Sequence, residues 1–481
     1  MPLQPERTQN KWWILAAIGV GTFMSALDGS VVNTILPVVG QTFNQNIAAI
    51  EWVVTIYLLV LSGLLLSFGR LGDLRGHKLL YIAGFCTFIF SSALCGLAPN
   101  LNGLIAFRGI QALGAAMLAA NSPAILTKNF PAEQRGQALG LQATMTYLGL
   151  TVGPSLGGWL AVQAGWRSVF YINIPIGILA IYLSFKYIPV DKPIEQSEKF
   201  DLLGAGLFIA GLVALLFGLN QGAELGWNSV PILGSLMLGI LALAAFYFYE
   251  NRSSYPILDL NLFKTRSFSA AVASAVINYI IVYSILFLIP FYLIQGRNLN
   301  PAQAGLLLTA QPIIMAIVAP LAGTISDRIG VRLPATLGMS ILVAGAFLLS
   351  RLGPYSPTPQ IITALAIAGL GTGIFISPNT SGLMGSAPRN RQGIAAGVLA
   401  TARNVGMVFG VGLSGAIFST VLANKQYSIT ADLYIALHVS FLIVAGIGII
   451  GTVITLMNSN NRTRSDIKPI FEASKNGKQT Q

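Results

Sequence analysis

Of the sixteen acidic residues in this chain of 481, Asp28 alone falls deep inside an apolar run. At 1.5 Å per helical residue it sits roughly 24 Å along from Trp12, in the outer half of a hydrocarbon core about 30 Å thick. Arg108 lies in another apolar run, roughly 10 Å in from the outer side, which is a matching depth. A carboxylate and a guanidinium at one depth on two helices should face each other across water. Ionisable groups inside a membrane are costly to place and are functional by default. Two roles fit the pair, a proton-carrying site and a structural ion pair that only holds the bundle together; we favour the first.

Arg403 is the other cation inside an apolar run, with no obvious carboxylate at its depth. Backbone carbonyls and a substrate anion are both open as its partners. His438, near the start of the last apolar run, fits either a proton relay or a packed polar residue, the latter being the commoner use of a lone histidine. The sequence has no Walker loop, so ATP bound by this chain would not supply energy. Two histidines and two cysteines build none of the usual metal sites, and the expected energy source is a proton gradient with no cofactor. Cys86 and Cys95 lie roughly 13 Å apart along one helix, too far for a disulfide.

The elements that must position these residues follow from composition. Apolar residues make up 54% of the chain and charged residues 9%, with a mean hydropathy of +0.71. Soluble proteins carry about a quarter charged residues, so the solvent here is largely lipid. The net charge of +12 does not point to nucleic acid, because the basic residues sit in short loops and do not cluster with aromatics. Fourteen apolar segments can be read, from 12–37 and 50–69 through 360–383 and 393–422 to 433–457, each near the ~20 residues that cross a bilayer. The first is too long for a signal-peptide core and carries Asp28, so no cleavable leader is expected. With both termini in the cytoplasm, 22 of the 28 Lys and Arg fall on the cytoplasmic side. Only Arg167, Arg297, Arg351 and Lys425 fall outside, with Arg108 and Arg403 within spans. That segregation supports fourteen helices and both termini inside.

The chain also repeats. Gly69 to Lys78 and Gly323 to Arg332 both read G-x-x-x-D-x-x-G-x-basic, 254 residues apart. G-x-A-x-G recurs at Gly136–Gly140 and Gly393–Gly397, 257 residues apart. Two matched offsets argue for duplicated six-helix halves with two extra helices between them. The implied divisions are 1–190 for the first bundle, 191–262 for the charged linker (Asp191–Asp201) and inserted helices, 263–458 for the second bundle, and 459–481 for a cytoplasmic tail.

These motifs resemble the major facilitator superfamily, and more narrowly its fourteen-helix drug:proton antiporter family. Leu27 to Pro37 is similar to that family's first-helix motif. Gly69 to Lys78 is similar to the superfamily's loop between helices 2 and 3, and Arg108-Gly109-Ile110-Gln111-Ala112-Leu113-Gly114 to its helix-4 motif. Gly149 to Gly158 is similar to the helix-5 antiport motif, and Pro256 to Lys264 to the segment before helix 9. His77 and the pair Gly29-Ser30 depart from the usual residues. The short stretch near 423–432 lacks the long outer loop that some relatives use with periplasmic adaptors, which argues against such a partner.

The resemblance implies an all-α integral membrane fold of two six-helix bundles plus two inserted helices, in a bacterial-type inner membrane. Its partners would be a small lipophilic substrate, protons and the bilayer. Asp28 and Arg108 would couple protons. Gly69, Asp73, Arg75, Gly76 and Lys78, with Asp327 and Arg328 in the second half, would gate the cytoplasmic side, Asp73 sitting in the turn between helices. Gly149, Gly153, Pro154, Gly157 and Gly158 would form the antiport motif, their spacing permitting close helix approach. Asn33, Gln111 and Arg403 are candidates for the substrate cavity. An exporter of one endogenous metabolite, lipid or siderophore is the alternative within this class, and a non-transporting scaffold or receptor the alternative outside it.

Overall fold

A computed structural model describes residues 11–131, 134–191, 201–253, 260–387, 392–423 and 429–457, and among these no strand occurs. The first six rods are α1 Lys11–Phe43, α2 Ile47–Arg75, α3 His77–Gly96, α4 Leu101–Asn129, α5 Arg135–Gln163 and α6 Ser168–Tyr187. Then come α7 Leu202–Leu225 and α8 Val230–Glu250. The last six are α9 Arg266–Gly296, α10 (Pro301–Leu308, then Ala310–Ile329), α11 Arg332–Ser350, α12 Thr358–Ser386, α13 Gln392–Ala423 and α14 Ile429–Leu456.

Among the described residues, twelve of these rods are long and apolar enough to cross a membrane. Of the fourteen read from sequence, the two not among these are α5, diluted by Gln142, Thr144, Thr146 and Thr151, and α7, whose described apolar residues run from Leu203 to Leu219 within a helix of 24. The surface agrees with a lipid solvent: α8 leaves Met237, Leu238, Ile240 and Leu241 exposed on a helix of few buried residues. Some edges differ from the sequence reading. α1 continues through Pro37 to Phe43, because a proline removes one amide and a long, well-packed helix absorbs the loss.

Two ends of the array can be told apart. One carries Asn44, where α1 turns into α2; the other carries Asp191, after α6. At the Asp191 end, Gly76 alone joins α2 to α3, with φ 97°, and Gly330 turns the chain after α10 with φ 91°. That backbone region is open to glycine and costly to other residues, which explains why glycine stands at this point in both copies of the loop motif. Asp73 and Asp327 fall in the last helical turns of α2 and α10 rather than in the connections, and their side chains lie outside the described residues. Gly69 is likewise helical, while Arg75 and Arg328 are exposed.

The helices α1–α6 pack together, as do α9–α14. Gly149, Gly153 and Gly157 let α5 lie directly on α1: a Cβ on them would meet the Phe23 carbonyl, Ser30 and Val31 respectively. The second half repeats this contact, since Gly406 faces the Val276 carbonyl and Tyr279 on α9. The halves meet along α1 with α9, α2 with α13, and α5 with α10. α7 lies across the α2–α13 seam, Ile209 against Gly63 and Leu216 against Gly412.

Candidate functional site

Asp28 is placed by α1 with 1% of its surface exposed. Its Oδ2 accepts from Arg108 Nη1 of α4 at 2.6 Å, and its Oδ1 accepts from Gln111 Nε2 at 3.0 Å and Asn173 Nδ2 at 2.8 Å. The pair is therefore buried and in direct contact, with no room for a water between the two groups. Arg108 also donates from Nε to the Val53 carbonyl at 3.2 Å and from Nη1 to Gln111 Oε1 at 2.6 Å, and it stacks 4.1 Å from the centre of the Tyr57 ring. Gln111 donates to Ser92 Oγ at 2.7 Å. Five helices of one bundle (α1, α2, α3, α4 and α6) thus hold one carboxylate and one guanidinium. Breaking such a buried pair costs about 3–5 kcal/mol, because the charge left behind has no water.

A cavity of about 350 Å³ lies between the bundles, a volume within the range of small-molecule sites. Gly29, Asn33, Tyr57 and Arg108 line it from one half and Tyr279, Gln311 and Arg403 from the other. Gln111, read from sequence as a cavity residue, sits behind Arg108 and does not reach the wall. Asn33 and Arg403 do reach it. Arg403 Nη2 donates to Thr380 Oγ1 at 3.0 Å, its guanidinium lies 5.8 Å from the Tyr279 ring centre, and among the described residues it has no carboxylate within ion-pair distance. His438 Nδ1 meets the Ser350 carbonyl at 2.8 Å and is not on the cavity wall.

At the Asn44 end the halves touch closely. Gly158 of α5 abuts the Pro301 carbonyl, and Gly305 of α10 abuts the Pro154 carbonyl. Glu51, fully buried on α2, packs against Gly412 and Gly415 of α13. At the other end Asp191 accepts from the backbone amides of His77 at 2.8 Å and Lys78 at 3.3 Å, with Lys128 Nζ 3.7 Å away. Lys78 Nζ donates to the Phe185 carbonyl at 2.9 Å. His77 is buried, with Nδ1 2.7 Å from Asn121 Oδ1. Asn173, Tyr57, Ser92, Gln311, Glu51 and Asp191 all escaped the sequence reading as site residues. Asparagine, serine and tyrosine in apolar runs carry no charge to mark them, and Asp191 was visible only as the start of a charged linker.

The family model described as Major Facilitator Superfamily matches residues 18–201, 193–411 and 271–477. The chain belongs to the major facilitator superfamily. Among curated members it is 37% identical over 455 residues to the riboflavin transporter RibZ of Clostridioides difficile (strain 630), covering 93% of this chain and 97% of that one. It is 34% identical over 410 residues to the multidrug resistance protein Stp of Mycobacterium tuberculosis, covering 85% and 76%. A superfamily fold is also seen in the solved structure of a bacterial homologue of the human lysosomal transporter Spinster, inward-facing and unoccupied. That chain aligns with a TM-score of 0.69 at 15% identity, over 95% of this chain and 98% of its own. A superfamily chain of this kind is a membrane transporter and not an enzyme.

Proposed function

We propose that this transporter exports small lipophilic compounds in exchange for protons, by alternating access across a bacterial inner membrane. All fourteen rods would span, with the Asp191 end and both termini in the cytoplasm, as the distribution of Lys and Arg supports. The observation that carries the reading is the buried Asp28 carboxylate, whose charge partner Arg108 forms part of the cavity wall. A proton taken up by Asp28 would release Arg108 from its partner. That change would move the helices lying on α1, namely α5 through its glycine contacts and α9 across the seam. The state described here, with the halves joined at the Asn44 end, would be the one open to the cytoplasm.

The identity with a riboflavin transporter supports a second reading of the cargo, a single metabolite carried by the same mechanism. Addition of a transported compound to the purified protein in weakly buffered detergent solution should release protons, and Asp28→Asn should abolish the release. Saturable binding without release from the wild type would favour a receptor over a transporter.

A further inference from the structure

The charge of the cavity wall is one-sided. Among the described residues that line it, Arg108 and Arg403 are charged, and no Asp, Glu, Lys or His joins them. Asp28 cancels Arg108 from behind the wall at 2.6 Å, which leaves Arg403 as the charge facing the space between the halves. Protonating Asp28 would remove that counter-charge and make the field more positive. A cationic ligand is therefore disfavoured at both stages of a proton cycle. One unit charge about 10 Å from another, at an effective dielectric near 20, changes occupancy by roughly tenfold.

The uncharged groups on the wall define the rest of the ligand. Tyr57, Tyr147, Tyr279 and Tyr283 present four aromatic rings, and Met315 and Met407 supply deformable apolar contacts. Two amides on opposite halves have free atoms. Asn33, 2% exposed, has Oδ1 without a partner while its Nδ2 donates to the Gly29 carbonyl at 2.7 Å. Gln311, 6% exposed, has Nε2 without a partner. Both atoms are buried beneath the wall, so each amide would have to turn before it could meet a ligand, Asn33 as an acceptor and Gln311 as a donor.

Resting on the transport reading, we infer that the cavity selects uncharged or anionic aromatic compounds and rejects lipophilic cations, with Arg403 as the selecting charge.

Three fluorescent planar probes of different charge test this on the full-length protein in nanodiscs: riboflavin, its 5′-phosphate, and ethidium. Both flavins should bind at least tenfold more tightly than ethidium. Arg403→Gln should erase most of that difference, by about tenfold for the phosphate, and Arg403→Lys, which keeps the charge, should retain it. Ethidium binding as tightly as the flavins would overturn the inference, as would an unchanged order in Arg403→Gln or the absence of saturable flavin binding. Proton-driven uptake of ethidium or another cation by the same protein reconstituted into sealed vesicles would show that charge selection had failed while the transport reading survived. Failure of the transport reading would appear separately, as flavin binding that releases no proton.

Discussion

The carboxylate of Glu51 on α2 occupies the space in which a side chain on Gly415 of α13 would stand. Gly305 lies 254 residues after Glu51, and Gly415 lies 257 after Gly158, the same offsets that relate the two halves. The mate of this contact is therefore the meeting of α10 with α5, where Gly305 abuts the Pro154 carbonyl and Gly158 the Pro301 carbonyl. One seam closes backbone on backbone, and the other closes over a buried acid.

Gly415→Ala should part the second seam, since overpacking costs about 1–3 kcal/mol and 1.4 kcal/mol is a factor of ten in an equilibrium. Thr55, buried one helical turn beyond Glu51, is a suitable reporter as Thr55→Cys in a Cys86→Ser background. Maleimide labelling there should rise about tenfold, and adding Glu51→Gly should restore the low rate. Unchanged labelling in the single variant would show that the glycine is not needed for closure.

How much of this was legible in the sequence depended on how unusual each residue is in its surroundings. Asp28 and Arg108 stood out because charge is rare inside apolar runs, and their common depth followed from the helix rise. The structure adds that they touch. Glu51 was hidden by its place at the edge of a predicted span, where acids are ordinary. Gln111 was assigned to the cavity from its motif, yet helical geometry three residues beyond Arg108 puts it behind the ion pair. Asn173 pairs with Asp28 across 145 residues of chain, a contact no local pattern encodes.

Asn173→Ala should slow transport without unfolding the protein. It removes a hydrogen bond to a charged group, worth about 1.5–3 kcal/mol. Initial rates of pH-driven uptake should fall roughly tenfold, with the substrate KM changed less than twofold. A wild-type rate would mean that Asp28 does not depend on its α6 partner.

Asp191 should make the closure of the α3 N-terminus sensitive to acid. Burial works to raise its pKa, but the amides of His77 and Lys78 outweigh burial and hold the carboxyl below the usual range. A depressed pKa gives a contribution that is complete above the ordinary carboxylate range and lost as pH falls through the folded-state value. Protection of the His77 and Lys78 amides, relative to their intrinsic exchange at each pH, should therefore fall below that range in the wild type. In Asp191→Ala protection should be low at every pH, by about fivefold to tenfold for a lost cap of ~1 kcal/mol. Equal protection in both proteins would remove Asp191 from this role.

The central claim is that the buried Asp28 carboxylate carries the proton that drives transport. Uptake of a transported compound into inverted vesicles under an imposed pH gradient tests it most directly, comparing the wild type with Asp28→Asn. The amide keeps the size of the side chain, its oxygen can still accept from Arg108, and Asn173 can turn its own unpartnered oxygen to accept from the new NH2, so the variant should reach the membrane folded. We predict that gradient-driven accumulation disappears while saturable binding and downhill exchange remain. Accumulation at the wild-type level by Asp28→Asn would contradict the account.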